Sequence, residues 1–553
     1  DSMRFRNRSI LLFITALWLG GCSGPPALRT LAQDAVAAMG GAEKLQGVKT
    51  LAMKGGTGTR LRMGQMVKAT DQENPAQLKD VVDIADLGNG RASLDYALQL
   101  GGFMQHRHEI LTKKGDKSIG IEIVGTRPII ATTPGGLFSW GTQNSPEFLL
   151  RRNVVTIALS AAESASDRQP AIDKELNGKM YKYGTAQTKS GEDLGLYFDP
   201  QTRLLAAYEV IDTESILGDV PAQYILSDYK TADGLTLPHH ITVRKGGKDY
   251  SDVQFVSIAV NDPATEQVFA IPDSAAEEAD KAAAGDEYSP MKIVKVGNGV
   301  YHAVGYSHHT LIVEFPQWLA LVDSPYTETQ AKVLFRAIQE QFPTKPVKFV
   351  AVSHHHYDHI GGVRTAAAMG ATILVEKGNE PVLRPLLEAR HTHPQDELDK
   401  RRNSQPAQQA GAIEVYEGKK IISEGGQSLE LYPVSFPEHV DPMVLAYASS
   451  ARALFQPDLY TPPAAANGGP PAQHLLQAIK QLNLRVDTMV GGHGGIGTLC
   501  AGPSACSFAS PRPARFRRGL SRLAMEFLSI SNRFRYPIGS MRASRRKFHG
   551  ICG

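Results

Sequence analysis

Cysteine is scarce in this chain of 553 residues: there are four, and none lies between Cys22 and Cys500. That gap excludes a disulfide framework and a thiolate metal site from the body of the protein. A metal ion bound there would need histidine and carboxylate ligands. The formal net charge is only +3 and no long low-complexity tract is present, so composition alone singles out no class of partner.

Acidic residues are nearly missing from the last segment, residues 499–553. It holds ten arginines and one lysine against a single acid, Glu526, which gives it a charge of +10 and leaves −7 for the residues before it. The sequence changes character abruptly after Thr498, and cysteines reappear there. We therefore interpret 499–553 as a frameshifted or disordered tail. A basic arm for nucleic acid or anionic lipid is the alternative.

The apolar run near the N terminus is too short to span a bilayer, which takes roughly 20 residues. This run, ILLFITALWL, follows three arginines and ends in LGGC, a pattern that predicts a secretion signal over residues 1–22. The cysteine after small residues resembles a bacterial lipobox. The resemblance implies cleavage before Cys22, acylation of its thiol and a periplasmic protein with a lipid anchor in the membrane, and Ser23 favours the outer membrane. An ordinary signal peptide with a chance cysteine is the alternative.

Residues 23–273 consist mostly of alternating strand-like runs, such as LPHHITVRKG, separated by Gly, Asp, Asn and Pro turns. This pattern predicts a mainly β domain, with a helix at about Leu31–Met39 and a helical patch near Ser145–Ala162. The phrases LSDYKTADGLTLPHHITV and VNDPATEQVFAIPD resemble lipoprotein-carrier-like (LolA-like) domains. That resemblance implies a half-barrel, in which a curved sheet wraps around an apolar cavity.

Residues 274–290 are small or charged and lack aliphatic anchors, which predicts a linker. In residues 291–498, near-continuous apolar strands such as VKFVAVS alternate with helical segments such as TETQAKVLFRAIQEQF. Because strands covered on both faces are apolar throughout, this second pattern predicts an α/β fold. Functional residues of such folds gather past the carboxyl ends of the strands.

The stretch VSHHHYDHIGG follows one of these strands directly. His354 and His356 are two residues apart and can share one side of an extended loop. Asp358, two residues further on, can share that side too. His359 lies at the turn into the next helix. One short loop can thus present ligands to two neighbouring points. A solvated cluster of histidines is the alternative.

Three further candidates, His439, Asp458 and His493, each lie at the end of a strand-like run or in the turn after it. Alone, each has an ordinary structural explanation. In order, His-x-His-x-Asp-His followed by His, Asp and His resembles the metallo-β-lactamase superfamily of dinuclear metallohydrolases, and the strand pair that ends at Asp323 fits that family too. The resemblance covers residues 291–498 and implies an αββα sandwich.

Carried over residue by residue, the resemblance implies a first metal on His354, His356 and His439, a second on Asp358, His359 and His493, and a bridge by Asp458. Two Zn²⁺ ions are the expected cofactors because an all-imidazole first site suits zinc, although the spacing is also compatible with iron or manganese. A bridging hydroxide, oriented by Asp358, would attack an electrophilic carbonyl or phosphoryl group. His355 is expected to point away from both metals.

His308 and His309 lie where the opening hairpin of the family approaches the cleft. Either they help to bind substrate or they form an exposed pair on the hairpin.

These features predict a metal-dependent hydrolase that cleaves a small carbonyl substrate: an ester, lactone, thioester or lactam. One alternative is a phosphodiesterase or nuclease on the same metals, which the mild negative charge of residues 1–498 disfavours. Another is a protein that binds a lipid or other apolar ligand in its N-terminal domain, which the complete set of metal ligands disfavours. We expect a small-molecule substrate and no nucleic-acid partner.

Overall fold

The computed structural model of the protein describes residues 26–100, 102–115, 117–124, 127–131, 150–273, 276–277, 279–280, 291–305, 308–392, 395–404, 412–462 and 469–498. The predicted signal with Cys22, most of the predicted linker and the tail after Thr498 lie outside these residues. Within them, no helix is long and apolar enough to cross a membrane.

The N-terminal part is mainly β, as predicted. Its strands pair antiparallel in one sheet, in the order β6-β5-β4-β3-β2-β1-β13-β12-β11-β10-β9-β8-β7, and β14 pairs with β1. The strands are β1 (Thr50–Leu61), β2 (Pro75–Asp86), β3 (Arg91–Leu100), β4 (Phe103–Lys114), β5 (Lys117–Val124), β6 (Arg127–Ala131), β7 (Ile172–Leu176), β8 (Lys179–Gln187), β9 (Asp193–Phe198), β10 (Leu205–Glu214), β11 (Gly218–Ala232), β12 (Leu235–Lys245), β13 (Lys248–Gln254) and β14 (Ser257–Val260).

Three helices of this part, α1 (Leu28–Ala38), α2 (Ala42–Gln46) and α3 (Val154–Ser164), share a hydrophobic core with one face of the sheet. Helix α3 begins where the Asn153 side chain accepts a hydrogen bond from the Val155 amide. Helix α1 begins three residues before the predicted start, and the part of the predicted patch before residue 150 lies outside the described residues. The half-barrel shape stays a prediction.

The second part has two sheets packed face to face. The first has the order β15-β16-β17-β18-β19-β20-β21 and the second the order β22-β23-β24-β25-β26-β27. Their strands are β15 (Lys292–Gly297), β16 (Val300–Val304), β17 (His309–Glu314), β18 (Leu319–Val322), β19 (Val347–Ala351), β20 (Thr372–Glu376), β21 (Ile413–Tyr416), β22 (Lys420–Glu424), β23 (Gln427–Phe436), β24 (Val440–Ala448), β25 (Ala453–Gln456), β26 (Thr488–Gly491) and β27 (Ile496–Thr498).

Helices cover the outer faces of both sheets, which makes an αββα sandwich. The inner faces meet in a core that includes Leu311, Val322, Ala446 and Phe455. The helices are α4 (Glu328–Gln341), α5 (Tyr357–Ile360), α6 (Val363–Ala368), α7 (Glu380–Glu388), α8 (Glu397–Ser404) and α9 (Pro470–Gln481). Helices α4, α6, α7 and α8 pack on the first sheet, and α9 packs on the second. Because β18–β21 run parallel, their carboxyl ends open at one edge of the first sheet.

A buried charge network ties strands of the N-terminal sheet together around Asp212. Its carboxylate lies 3.0 Å from the Arg152 guanidinium and 3.1 Å from the Lys245 ammonium, and it accepts a hydrogen bond of 2.7 Å from Tyr224. Burial alone would raise the pKa of Asp212, but Lys245 and Arg152 outweigh burial and hold that pKa below its usual value. The network therefore centres on one carboxylate that pairs with two buried cations, of which Arg152 also pairs with Glu192 at 2.6 Å.

We predict that Asp212→Asn lowers the free energy of unfolding by about 3–5 kcal/mol at pH 7, because the buried Lys245 ammonium loses its ion-pair partner and Arg152 keeps only Glu192. A carboxylate with a depressed folded pKa stabilises the protein above the pKa of an unfolded aspartate, about 3.9, and that stabilisation is lost as the pH falls further. The difference between the two proteins should therefore shrink below about pH 4 in urea titrations. Asp249→Asn, at an exposed ion pair with Arg244, is the control. An equal loss in the control would contradict the prediction.

Candidate metal centre

The first sheet supplies four of the predicted ligands from one short loop. Strand β19 ends at Ala351, and a short loop with bends at Ser353 and His355 leads to an extended His356 before α5 begins at Tyr357. The turn into α5 carries Asp358 and His359 away from His354 and His356, so that the loop contributes two residues to each of two clusters.

The second sheet supplies the other three predicted ligands from ends of its strands. His439 lies in the turn between β23 and β24, Asp458 follows β25, and His493 follows β26. Hydrogen bonds join the two sheets close to these positions: the His309 amide donates to the Gly492 carbonyl and the Val444 amide donates to the Ser353 carbonyl. The facing edges of the sandwich therefore hold the two sets of ligands together.

Asp458 lies between the clusters, with one carboxylate oxygen turned to each. Its Oδ2 lies 2.6 Å from His439 Nε2 and 3.1 Å from His354 Nε2. Its Oδ1 lies 2.9 Å from His359 Nε2 and 2.9 Å from His493 Nε2. This is the arrangement that a carboxylate shared by two cations requires.

The structure brings all seven predicted ligands into two groups. Within each group, the candidate ligand atoms all lie within 4.8 Å of one another. The groups are His354, His356, His439 and Asp458, and His308, Asp358, His359 and His493. His308 is an additional candidate metal ligand, because the sequence predicted it only as a possible substrate contact. His355 belongs to neither group: its ring nitrogens face Asn379 Oδ1 and the Met66 carbonyl.

The interpretation of His308 and His309 as an exposed hairpin pair is wrong, because both are buried. His308 Nε2 lies 3.1 Å from Asp358 Oδ2, and its ring stacks on Tyr326. His309 instead accepts a hydrogen bond from the Gly305 amide at Nδ1, and it belongs to neither of the two groups. Substrate contact by His308 and His309 stays a prediction.

Asp323, which directly follows β18, determines which ring nitrogen of His354 and of His359 faces the clusters. Its carboxylate accepts from the Ser353 amide and hydroxyl, each at 2.7 Å, and from His359 Nδ1 at 3.0 Å. Because the Ser353 hydroxyl donates to Asp323, it can accept at 3.1 Å from His354 Nδ1. Nε2 of His354 and of His359 is then the nitrogen that faces the clusters.

The electrostatics favour positive charge around the Asp458 carboxylate. Burial alone would raise the pKa of Asp458, but the surrounding histidines hold it well below its usual range. Burial lowers the pKa of His354 to about 3, which keeps a neutral imidazole with a free lone pair. For His359, burial is outweighed by Asp458 and Asp323, and its pKa rises well above the usual range.

The residues fit a pair of divalent cations. Buried charges in proteins are paired or coordinate metals. His354 Nε2 is buried and faces the Asp458 carboxylate at 3.1 Å. The donors are imidazole nitrogens and carboxylate oxygens, a set that suits zinc and related divalent metals.

Comparison with known proteins agrees with this centre. The model of the family "Metallo-beta-lactamase superfamily" matches residues 306–446. This segment is therefore a metallo-beta-lactamase superfamily domain, and it contains the loop after β19 and His439. No curated protein is significantly similar to the chain.

Solved structures of metallo-beta-lactamases are similar to part of the chain. One from Pontibacter korlensis is 18% identical, with a TM-score of 0.28, over 38% of this chain and 94% of that one. One from Cronobacter sakazakii is 17% identical, with a TM-score of 0.27, over 40% and 78%. A subclass B3 enzyme from a soil metagenome library, MEM-A1, is 17% identical, with a TM-score of 0.26, over 37% and 80%.

We predict that Asp323→Asn weakens zinc binding by about 10- to 100-fold, because the amide cannot accept from both Ser353 and His359 and the two imidazoles lose their orientation. Competition with a chromophoric chelator measures the affinity. Asp487→Asn, at an exposed pair with Arg452, should leave it unchanged. Wild-type affinity in a folded Asp323→Asn protein would contradict the role given to Asp323.

Proposed function

We propose that the protein is a zinc-dependent hydrolase that cleaves a small carbonyl substrate: an ester, lactone, thioester or lactam. The observation that carries the proposal is the position of Asp458, which turns one oxygen to each of two histidine clusters. The family match over residues 306–446 supports the same class of enzyme.

The chain's own groups would divide the work as follows. Each cluster would hold one cation, and Asp458 would bridge them. Bound divalent cations supply Lewis acidity that polarises a carbonyl oxygen and lowers the pKa of water to about 7. Asp358 is hydrogen-bonded at both oxygens, to Gln65 and His308. A carboxylate held in this way can accept a hydrogen bond from an attacking water and orient it.

Zinc is favoured over other metals by the donor set. Three imidazoles form the nitrogen donors of the first cluster. No cysteine lies between Cys22 and Cys500, so the shared carboxylate would supply the anionic charge. A phosphodiester substrate is less well supported, because the charge of −7 before residue 499 would repel a polyanion.

A second candidate function, binding of a small amphiphile, is favoured by a cavity in the N-terminal sheet. This cavity, of about 100 Å³, is lined mainly by apolar side chains, among them Met53, Leu94 and Val243. The Asp83 side chain also lines it and forms no hydrogen bond or ion pair within the described residues. Burial raises the pKa of Asp83 to about 7. A ligand with an apolar body and a hydrogen-bond donor would match this lining.

We predict that the zinc-loaded protein hydrolyses a chromogenic ester or lactam in preference to bis-p-nitrophenyl phosphate. Removal of zinc with a chelator should abolish the activity, and added zinc should restore it. His356→Ala should lower the rate to that of the metal-free protein. His106→Ala, at an exposed pair with Asp95, should leave the rate unchanged. If the loaded protein cleaves none of these bonds, or if His356→Ala keeps the wild-type rate, the hydrolase proposal fails.

For the second candidate, we predict that phenol, a small neutral molecule with an apolar ring and one O–H donor, binds the protein in isothermal titration calorimetry. Val243→Phe, which fills the cavity, should weaken this binding about tenfold or more, since added bulk in a packed site is poorly accommodated. Val256→Phe, at a residue 75% exposed, is the control, and the melting temperature of each variant shows that it is folded. Equal binding by both variants would contradict a ligand site in the cavity.

A further inference from the structure

The N-terminal sheet reaches the metal centre through the segment that connects β1 to β2, residues 62–74, here called the β1–β2 loop. Met63, Met66 and Ala69 of this loop are buried in the same hydrophobic cluster as Val352 and Ile360 of the sandwich. The loop thus shares a hydrophobic core with residues at both ends of the ligand-bearing stretch after β19.

The Met66 carbonyl contacts a predicted ligand directly. Its oxygen lies 2.9 Å from His356 Nε2. A carbonyl oxygen can only accept a hydrogen bond, so Nε2 of His356 carries the proton. In the neutral imidazole the lone pair is then on Nδ1, which becomes the nitrogen able to bind a metal.

The Gln65 side chain contacts a predicted ligand of the other cluster. Its Nε2 donates to Asp358 Oδ1 at 3.2 Å, and its Oε1 accepts from Arg62 Nη2 at 2.9 Å. Because a guanidinium has donors only, the contact with Arg62 turns the amide oxygen away from Asp358 and the amide nitrogen toward it. Asp358 is then held at one oxygen by Gln65 and at the other by His308.

The backbone of the loop is fixed in this position. The Asp441 amide, two residues after His439, donates to the Val67 carbonyl at 2.7 Å. Gly64 has φ of +69°, and a Cβ there would lie 2.3 Å from the Ile216 side chain. The positive φ therefore favours glycine at the turn that leads into Gln65 and Met66.

We propose that the β1–β2 loop is a positioning element of the metal centre, in which Met66 and Gln65 orient one ligand of each cluster from the N-terminal sheet. This inference rests on the proposed metal-binding function. It predicts that the N-terminal part contributes to metal affinity although it provides no ligand. If the loop only packed against the sandwich, removing its contacts with the ligands would leave metal affinity unchanged. If the loop obstructed the clusters, removing these contacts would raise metal affinity.

The test is zinc affinity, measured on the full chain by chelator competition so that each of two bound equivalents is resolved. Gln65→Leu and Gln65→Met remove the donor to Asp358 and should weaken one equivalent by about 10- to 100-fold while sparing the other. Gln77→Leu and Gln77→Met, at an exposed position on β2, are matched controls that should bind zinc as the wild type does.

A second variant tests the Met66 carbonyl. Replacement of the amide between Met66 and Val67 by an ester weakens this carbonyl as an acceptor, and it should weaken the equivalent that Gln65→Leu spares. Unchanged or tighter binding in folded Gln65 variants and in the ester variant would overturn the inference. Failure of the wild-type chain to bind zinc would instead contradict the proposed function itself.

Discussion

The carboxylate of Asp458 is the group on which the centre depends. Its side chain is 9% exposed, its pKa is held well below the usual range, and four imidazole nitrogens lie within 3.1 Å of its two oxygens. An isolated buried carboxylate is costly, so positive charge must accompany it, either as protons on imidazoles or as bound cations. Since each carboxylate oxygen of Asp458 faces its own pair of histidines, the compensating positive charge is divided between the two clusters.

That division depends on the packing of the two sheets. The first sheet brings the four ligands after β19, and the second brings His439, Asp458 and His493. Neither set alone surrounds Asp458. The apolar core between the sheets and the hydrogen bonds of Ser353 with Val444 and of His309 with Gly492 keep the two edges in register. A change in sheet packing would separate the histidines from the shared carboxylate, so core stability and site geometry are linked.

Much of the sandwich and of the ligand set can be predicted from the sequence because the signals are local. Apolar runs mark the strands, and the candidates follow the runs directly. The burial of His308 has no such signal, since it depends on α4, where Gln330 donates to the His308 carbonyl. The contacts of Gln65 and Met66 with residues near 356 join positions almost 300 residues apart, which no spacing pattern encodes. The route from Asp323 through Ser353 to His354 likewise exists only in the folded chain.

The two parts of the molecule are joined by polar contacts at several positions in addition to their shared hydrophobic cluster. Besides the β1–β2 loop, Tyr326 donates to the buried Glu122 carboxylate at 3.1 Å, and Asp219 accepts from the amide and hydroxyl of Thr392. Separate points of attachment restrict rotation more than a single one does, because each removes motion about the others. His308 stacks on Tyr326, and Tyr326 is held by Glu122. The N-terminal sheet therefore restrains the centre on the His308 side as well as on the His356 side, and its geometry is part of what determines the position of both clusters.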